Sequence, residues 1–102
     1  MDMIISLGNQ VREKIDRMTE LLYQENVTEG YSILSSVIAQ MDQLINHIAA
    51  YQAKTGQTII DEQKLLGSVG EALQAMEEKD IVLLADIFNY DIKEQIEQLV
   101  NA

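Results

Sequence analysis

Side chains that commonly carry out chemistry are scarce in this chain, and its only histidine is His47. A di-iron helical site needs a Glu-x-x-His pattern on each of two helices, together with two further inward carboxylates. Here Leu44 stands three positions before His47, and there is no second histidine. We therefore interpret His47 as a surface or boundary residue, and not as a general base or a metal ligand.

Carboxylates near the C-terminus form the second candidate group. Asp91, Glu94 and Glu97 recur at intervals of three, so they share one face of a helix, and Asp86 lies on a similar side. Two carboxyl groups act as an acid and a base only where their surroundings separate their pKa values. Because this face lies opposite the apolar stripe around Phe88, we expect water to screen it.

Cofactor and metal motifs are also missing. The chain has no cysteine, which removes thiolate ligands and cysteine nucleophiles. The acidic run at residues 77–80 lacks the order of a calcium loop, and the glycine-containing segments at 8–10 and 67–70 lack the spacing of a phosphate-binding loop. The sequence thus predicts no catalytic, cofactor-binding or metal-binding residue, and we expect a protein that is not an enzyme.

The pattern of apolar residues predicts that the chain is built from helices, which must position any functional side chain. The chain contains no proline and no Asn-Gly or Asp-Gly hairpin signal, and apolar residues recur every three or four positions. This pattern predicts an all-α protein in a single domain over residues 1–102, with helices at about 3–25, 28–54, 58–78 and 80–101. Short connections favour an antiparallel up-down-up-down four-helix bundle. An alternative is three helices with a fourth that packs on a second copy.

The predicted helix ends rest on capping residues. Thr28, Thr58 and Asp80 have side chains that accept hydrogen bonds at the start of a helix, and Gly56 suits the left-handed conformation after one. The junction at residues 77–80 predicts either a turn or a kink in one long helix. Mid-helix glycines at 67 and 70 indicate a tight helix crossing, because glycine is otherwise unfavourable there.

Charge restricts the possible partners. The formal net charge is −10, from 17 acidic and 7 basic residues. This field repels nucleic acid and anionic membrane surfaces and favours basic partners. No stretch is long and apolar enough to span a bilayer, and the N-terminus does not resemble a signal peptide, so we expect a cytoplasmic protein.

Two helices carry a second apolar row beside their main stripe. A wide apolar arc is explained either by a core shared with two neighbours or by a groove that takes a partner helix or a second subunit. Under the second interpretation the predicted partner-binding residues are Ile33, Val37, Leu44, Tyr51, Leu83, Ile87 and Tyr90.

One stretch carries a resemblance. Residues 72–90, with the pattern Ala-Leu followed by Asp-x-Val-Leu-Leu-Ala-Asp and Tyr, resemble a segment of a family of small uncharacterised bacterial all-helical proteins. More loosely, the size, acidity and helix order are similar to those of flagellar export chaperones, which are cytoplasmic bundles that hold a client's helices. The second likeness concerns architecture alone, and it implies no functional residue here.

These observations favour a non-enzymatic adaptor or chaperone-like bundle that holds an amphipathic partner helix. The alternative is an obligate homodimeric structural or regulatory subunit whose apolar rows bury only contacts with itself.

Overall fold

The computed structural model describes residues 1–101, which form helices and turns and contain no β-strand. Three segments that follow one another without a break make up the last helix, which we call the C-terminal helix. The predicted all-α class and the four helices are confirmed. The helices are α1 (Asp2–Tyr23), α2 (Val27–Thr55), α3 (Glu62–Glu77) and the C-terminal helix, which consists of α4 (Ile81–Asp86), a π-helical segment (Ile87–Ile92) and α5 (Lys93–Val100).

Two predicted helix ends are confirmed by local geometry. Gly56 ends α2 in the left-handed conformation, at φ 72°. The Asp80 carboxylate accepts a hydrogen bond from the backbone N–H of Leu83 at 3.1 Å, which caps the start of α4. Between α3 and α4 the chain makes a true turn and not a kink, because Lys79 has φ 59° and breaks the helical path.

Two predicted caps are wrong. Thr28 lies inside α2, whose N-cap is Asn26. Thr58 is not helical at all, and α3 begins four residues later than predicted, at Glu62, where Asp61 caps it by accepting from the backbone N–H of Lys64 at 3.0 Å.

The side chain of Gln52 explains the late start of α3. Its amide oxygen accepts hydrogen bonds from the backbone N–H groups of Ile59, at 2.8 Å, and Ile60, at 3.2 Å. Its amide nitrogen donates to Glu62 at 2.6 Å. Because α2 satisfies these backbone donors, residues 59 and 60 need no helical partners and remain outside the helix, beside the end of α2.

Helix α1 is the element that joins the others. It contacts α2 along its length and also contacts all three segments of the C-terminal helix, whereas α3 contacts mainly α4 and the π-helical segment. One face of α1 is buried, as its spacing predicts. The buried apolar side chains of α1 are Ile4, Val11, Ile15, Met18 and Leu22.

The π-helical segment matches the spacing of three core residues. Phe88, Ile92 and Ile96 follow one another at intervals of four, and all three are fully buried. In a regular α-helix of 3.6 residues per turn, a run of two such intervals rotates about 80° around the axis. A π turn holds more residues, so it reduces this rotation and keeps all three side chains directed into the core.

Glycine marks close packing at positions other than those predicted. A Cβ on Gly67 or Gly70 would meet nothing within 4 Å, so the predicted tight crossing at these residues is wrong. A Cβ on Gly30 would instead lie 2.6 Å from Cδ2 of Leu22, and one on Gly8 would lie 2.7 Å from Cγ1 of Val100. The close approaches are therefore those of α1 with α2 and of α1 with α5.

Replacement of glycine by alanine should stabilise the fold at Gly67 and Gly70 and destabilise it at Gly30. Gly67→Ala and Gly70→Ala should each raise the free energy of unfolding by about 0.5–1 kcal/mol, because alanine favours the helix and the new methyl group meets no neighbour. Gly30→Ala should lower it by about 1 kcal/mol, because the buried Leu22 would have to move in a close-packed core. Urea unfolding followed by circular dichroism measures all three variants, and a gain for Gly30→Ala would contradict the packing described here.

Candidate partner-binding surface

The second apolar row of α2 belongs to the core. Val37 and Leu44 are fully buried, and Ile33 and Tyr51 are half-buried against core clusters. Leu44 lies with Ile4 of α1 in a small cluster at one end of the molecule. Val37 and Leu44 therefore have no surface to offer a partner in this structure, because contacts within the chain already cover them.

The second row of the C-terminal helix is divided between core and surface. Ile87 is 6% exposed, whereas Leu83 is 43% exposed and Tyr90 is 63% exposed. Of the seven predicted residues, Leu83 and Tyr90 are thus the two that present a large accessible area.

A groove with no charged lining residue runs between α2 and α3, and we call it the apolar groove. Tyr31, Leu34, Ser35 and Ile38 of α2 and Leu73 and Met76 of α3 line it. Leu34 is buried, Tyr31, Ile38 and Met76 are half-buried, and Leu73 is 39% exposed.

The packing order of the helices explains why the groove exists. Helix α1 joins α2 to the C-terminal helix, and the C-terminal helix joins α3, but the backbones of α2 and α3 make little contact in the described residues. Side chains of both helices contribute to the main core cluster, and Gln52 of α2 bonds to Glu62 at the start of α3. The ring of helices is therefore closed on three sides, and the apolar groove occupies the fourth.

A second groove lies on the opposite side of α3, against the C-terminal helix, and we call it the acidic groove. Two of its apolar lining residues, Ala75 and Ile87, are buried, and a third, Leu83, is partly exposed. Three exposed carboxylates and a glutamine complete it. The full lining is Glu71, Gln74, Ala75, Glu78, Leu83, Ile87 and Asp91.

The sequence-based prediction missed the apolar groove because it assigned the groove's residues to the core. Tyr31 and Ile38 belong to the main stripe of α2, and Leu73 and Met76 belong to the stripe of α3. The feature of the sequence that could have indicated the groove is the width of the apolar stripe of α3, which extends to Leu66. That residue is 51% exposed, so the stripe is wider than the one neighbour of α3 can cover.

The residues considered for chemistry lie at the surface. His47 is exposed, as are Asp91 and Glu94. Within residues 1–101 no group of three or more His, Cys, Asp or Glu side chains is arranged to hold a metal ion. None of the helices in that range combines the length and the apolar character needed to cross a membrane.

Asp86 is an exception among the carboxylates expected to face water, because it accepts a hydrogen bond from the Tyr23 hydroxyl at 2.5 Å. This bond joins the end of α1 to the end of α4. The loss of water around the hydroxyl, the hydrogen bond and the negative charge of Asp86 together raise the pKa of Tyr23 to about 12.

Tyr23 should titrate later than an ordinary tyrosine, whose pKa is about 10. The phenolate forms more easily in the unfolded chain, so this group stabilises the folded state below pH 10, and its contribution is lost as the pH rises toward 12. Absorbance at alkaline pH, with Tyr23→Phe used to assign the signal, measures the pKa. Asp86→Asn should lower it toward 10, and an unchanged value would contradict the role of Asp86.

Comparison with known proteins gives one match. A family model described as a domain of unknown function (DUF8042) matches residues 1–102. Neither the curated proteins nor the solved structures contain a match to the chain. The family is uncharacterised, in agreement with the resemblance seen in residues 72–90. Because the family model extends over every residue of the sequence, the chain belongs to the DUF8042 family.

Proposed function

We propose that this chain is a non-enzymatic adaptor or chaperone-like protein that holds an amphipathic helix of another protein in the apolar groove. The observation that carries the proposal is the open side between α2 and α3, where Tyr31, Ile38, Leu73 and Met76 line a groove without a charged residue. An amphipathic helix offers a matching apolar stripe at intervals of three and four residues.

The energetic case rests on surface that α2 and α3 leave uncovered. Leu73, which lines the apolar groove, keeps 39% of its area in contact with water, and Tyr31, Ile38 and Met76 beside it are half-buried. Burial of apolar area contributes roughly 25 cal/mol per Å², so covering these side chains favours association. A partner helix would add the missing fourth contact and close the ring.

The proposal includes an up-down-up-down arrangement of the four helices. Contacts between opposite ends support it. Gly8 lies near Val100 in space, Tyr23 bonds to Asp86, and the Lys93 ammonium group lies 2.7 Å from a carboxylate oxygen of Asp16. These pairs suggest that α1 and the C-terminal helix run antiparallel, which leaves α2 and α3 on either side of the open groove.

Cytoplasmic location and a bacterial origin are also part of the proposal, as is the likeness to flagellar export chaperones. The lack of cysteine supports the first, because disulfides are typical of oxidising compartments. The groove supports the last, because a protein that holds a client's helix needs an unfilled apolar channel of this kind.

A second candidate is an obligate homodimer in which α3 of one copy covers α3 of the other. The exposed Leu66 and Leu73, with open space at Gly67 and Gly70, favour this possibility. Light scattering over a concentration series separates the two functions. A monomer supports helix binding, and a dimer that persists on dilution supports the homodimer.

The binding test uses a displayed library of amphipathic helices of about 15 residues, or roughly 22 Å. Their apolar stripe is fixed and their flanking residues are random. We expect the wild-type chain to select binders, and Leu73→Asp to weaken their affinity at least tenfold, about 1.4 kcal/mol, because a charge would enter the apolar groove.

Leu66→Asp is the matched control for this test. It introduces the same charge on the same helix at a residue of similar exposure that does not line the groove. This variant should retain binding within about threefold, equal to roughly 0.7 kcal/mol. Failure of the library to yield any binder, or equal losses in the two variants, would overturn the proposed site.

A further inference from the structure

We infer that the acidic groove binds a basic residue, arginine or lysine, that flanks the partner helix held in the apolar groove. This inference rests on the proposed function and specifies the chemistry of its partner. It concerns a different face of α3, so the two can fail separately.

The carboxylates of the acidic groove have no cation within the chain. Both ion pairs found in residues 1–101 use Lys93, which contacts Asp16 and Glu97. Glu71, Glu78 and Asp91 are all exposed and take part in neither pair. A hydrogen bond from Gln74 to Glu78, at 3.3 Å, is the one polar contact that the structure gives these three carboxylates.

The floor of the acidic groove suits the apolar stem of a basic side chain. Arginine and lysine carry an apolar stem below their charged group, and such stems cover apolar surface while the charge remains in water. Ala75, Ile87 and Leu83 supply an apolar floor, and the carboxylates lie around it. A carboxylate that accepts a hydrogen bond from a guanidinium or ammonium group forms a charge-assisted bond, which is stronger than a neutral one.

The two grooves are joined across the C-terminal half of α3. A shallow depression there is lined by Gly70, Leu73, Gln74, Met76, Glu77 and Glu78. It shares Leu73 and Met76 with the apolar groove and Gln74 and Glu78 with the acidic groove. Gly70 has no side chain to obstruct this path, so a segment that leaves the apolar groove can cross α3 and reach the carboxylates.

The wider charge distribution agrees with a basic occupant. Residues 55–102 hold ten acidic residues and three basic ones, and none of the three basic residues lines the acidic groove. A field of one sign attracts an oppositely charged segment before contact and repels acidic competitors.

The test repeats the library selection with a chain in which the groove is neutral. Glu71→Gln, Glu78→Gln and Asp91→Asn are combined, which removes three charges and keeps the side-chain shapes. The control combines Glu13→Gln, Glu20→Gln and Glu25→Gln, which remove the same number of charges. These three glutamates are exposed and lie on or beside α1. Thermal unfolding verifies that both variants fold.

We expect the wild-type chain and the control to enrich arginine or lysine in one flank of the selected helices, and the groove variant to lose this enrichment. For a binder with a basic flank, the groove variant should bind about tenfold more weakly at low salt. The difference should shrink at 1 M salt, where the screening length falls to about 3 Å. When the basic residue of that binder is replaced by glutamine, the wild-type chain and the groove variant should bind it equally.

Two results would overturn the inference and leave the proposed function standing. These are binders whose flanks show no basic preference, and a basic preference that the control removes as completely as the groove variant. A selection that yields no binder at all would instead overturn both the proposed function and this inference.

Discussion

Burial of the apolar face of α1 is the interaction on which the rest of the structure depends, because α1 alone contacts both α2 and every segment of the C-terminal helix. Its side chains Val11, Ile15 and Met18 have no exposed area. Each side chain of this kind contributes roughly 1.5–3 kcal/mol when it is buried. Close approaches at Gly8 and Gly30 bring the neighbouring helices against this face, where a larger residue would separate them.

The central position of α1 leaves α3 at the edge. Helix α3 contacts mainly α4 and the π-helical segment, and its apolar arc is wider than these neighbours can cover. Its remaining apolar residues, Leu66 and Leu73, are the uncovered part of that arc. The apolar groove is therefore a consequence of packing four amphipathic helices around one of them, and it lies where the ring of contacts is incomplete.

Charge divides the surface of α3 into two regions with different lining residues. The apolar groove on the side of α2 has no charged lining residue, whereas the acidic groove on the other side has Glu71, Glu78 and Asp91. An apolar groove supplies affinity through burial, and unpaired carboxylates supply selectivity and faster encounter with basic segments. The partner that we propose, an amphipathic helix with a basic flank, would match both regions of α3 at once.

Local spacing and backbone preference were sufficient to predict the helical class, the four helices, the Gly56 and Asp80 boundaries and the buried stripe of α1. Which apolar rows are covered depends instead on how the helices pack against one another. Val37 and Leu83 stand in rows that look alike in the sequence, yet one is buried and the other exposed, because burial depends on which helices are neighbours. The start of α3 was likewise decided by a side chain of α2, Gln52, which local capping rules cannot include.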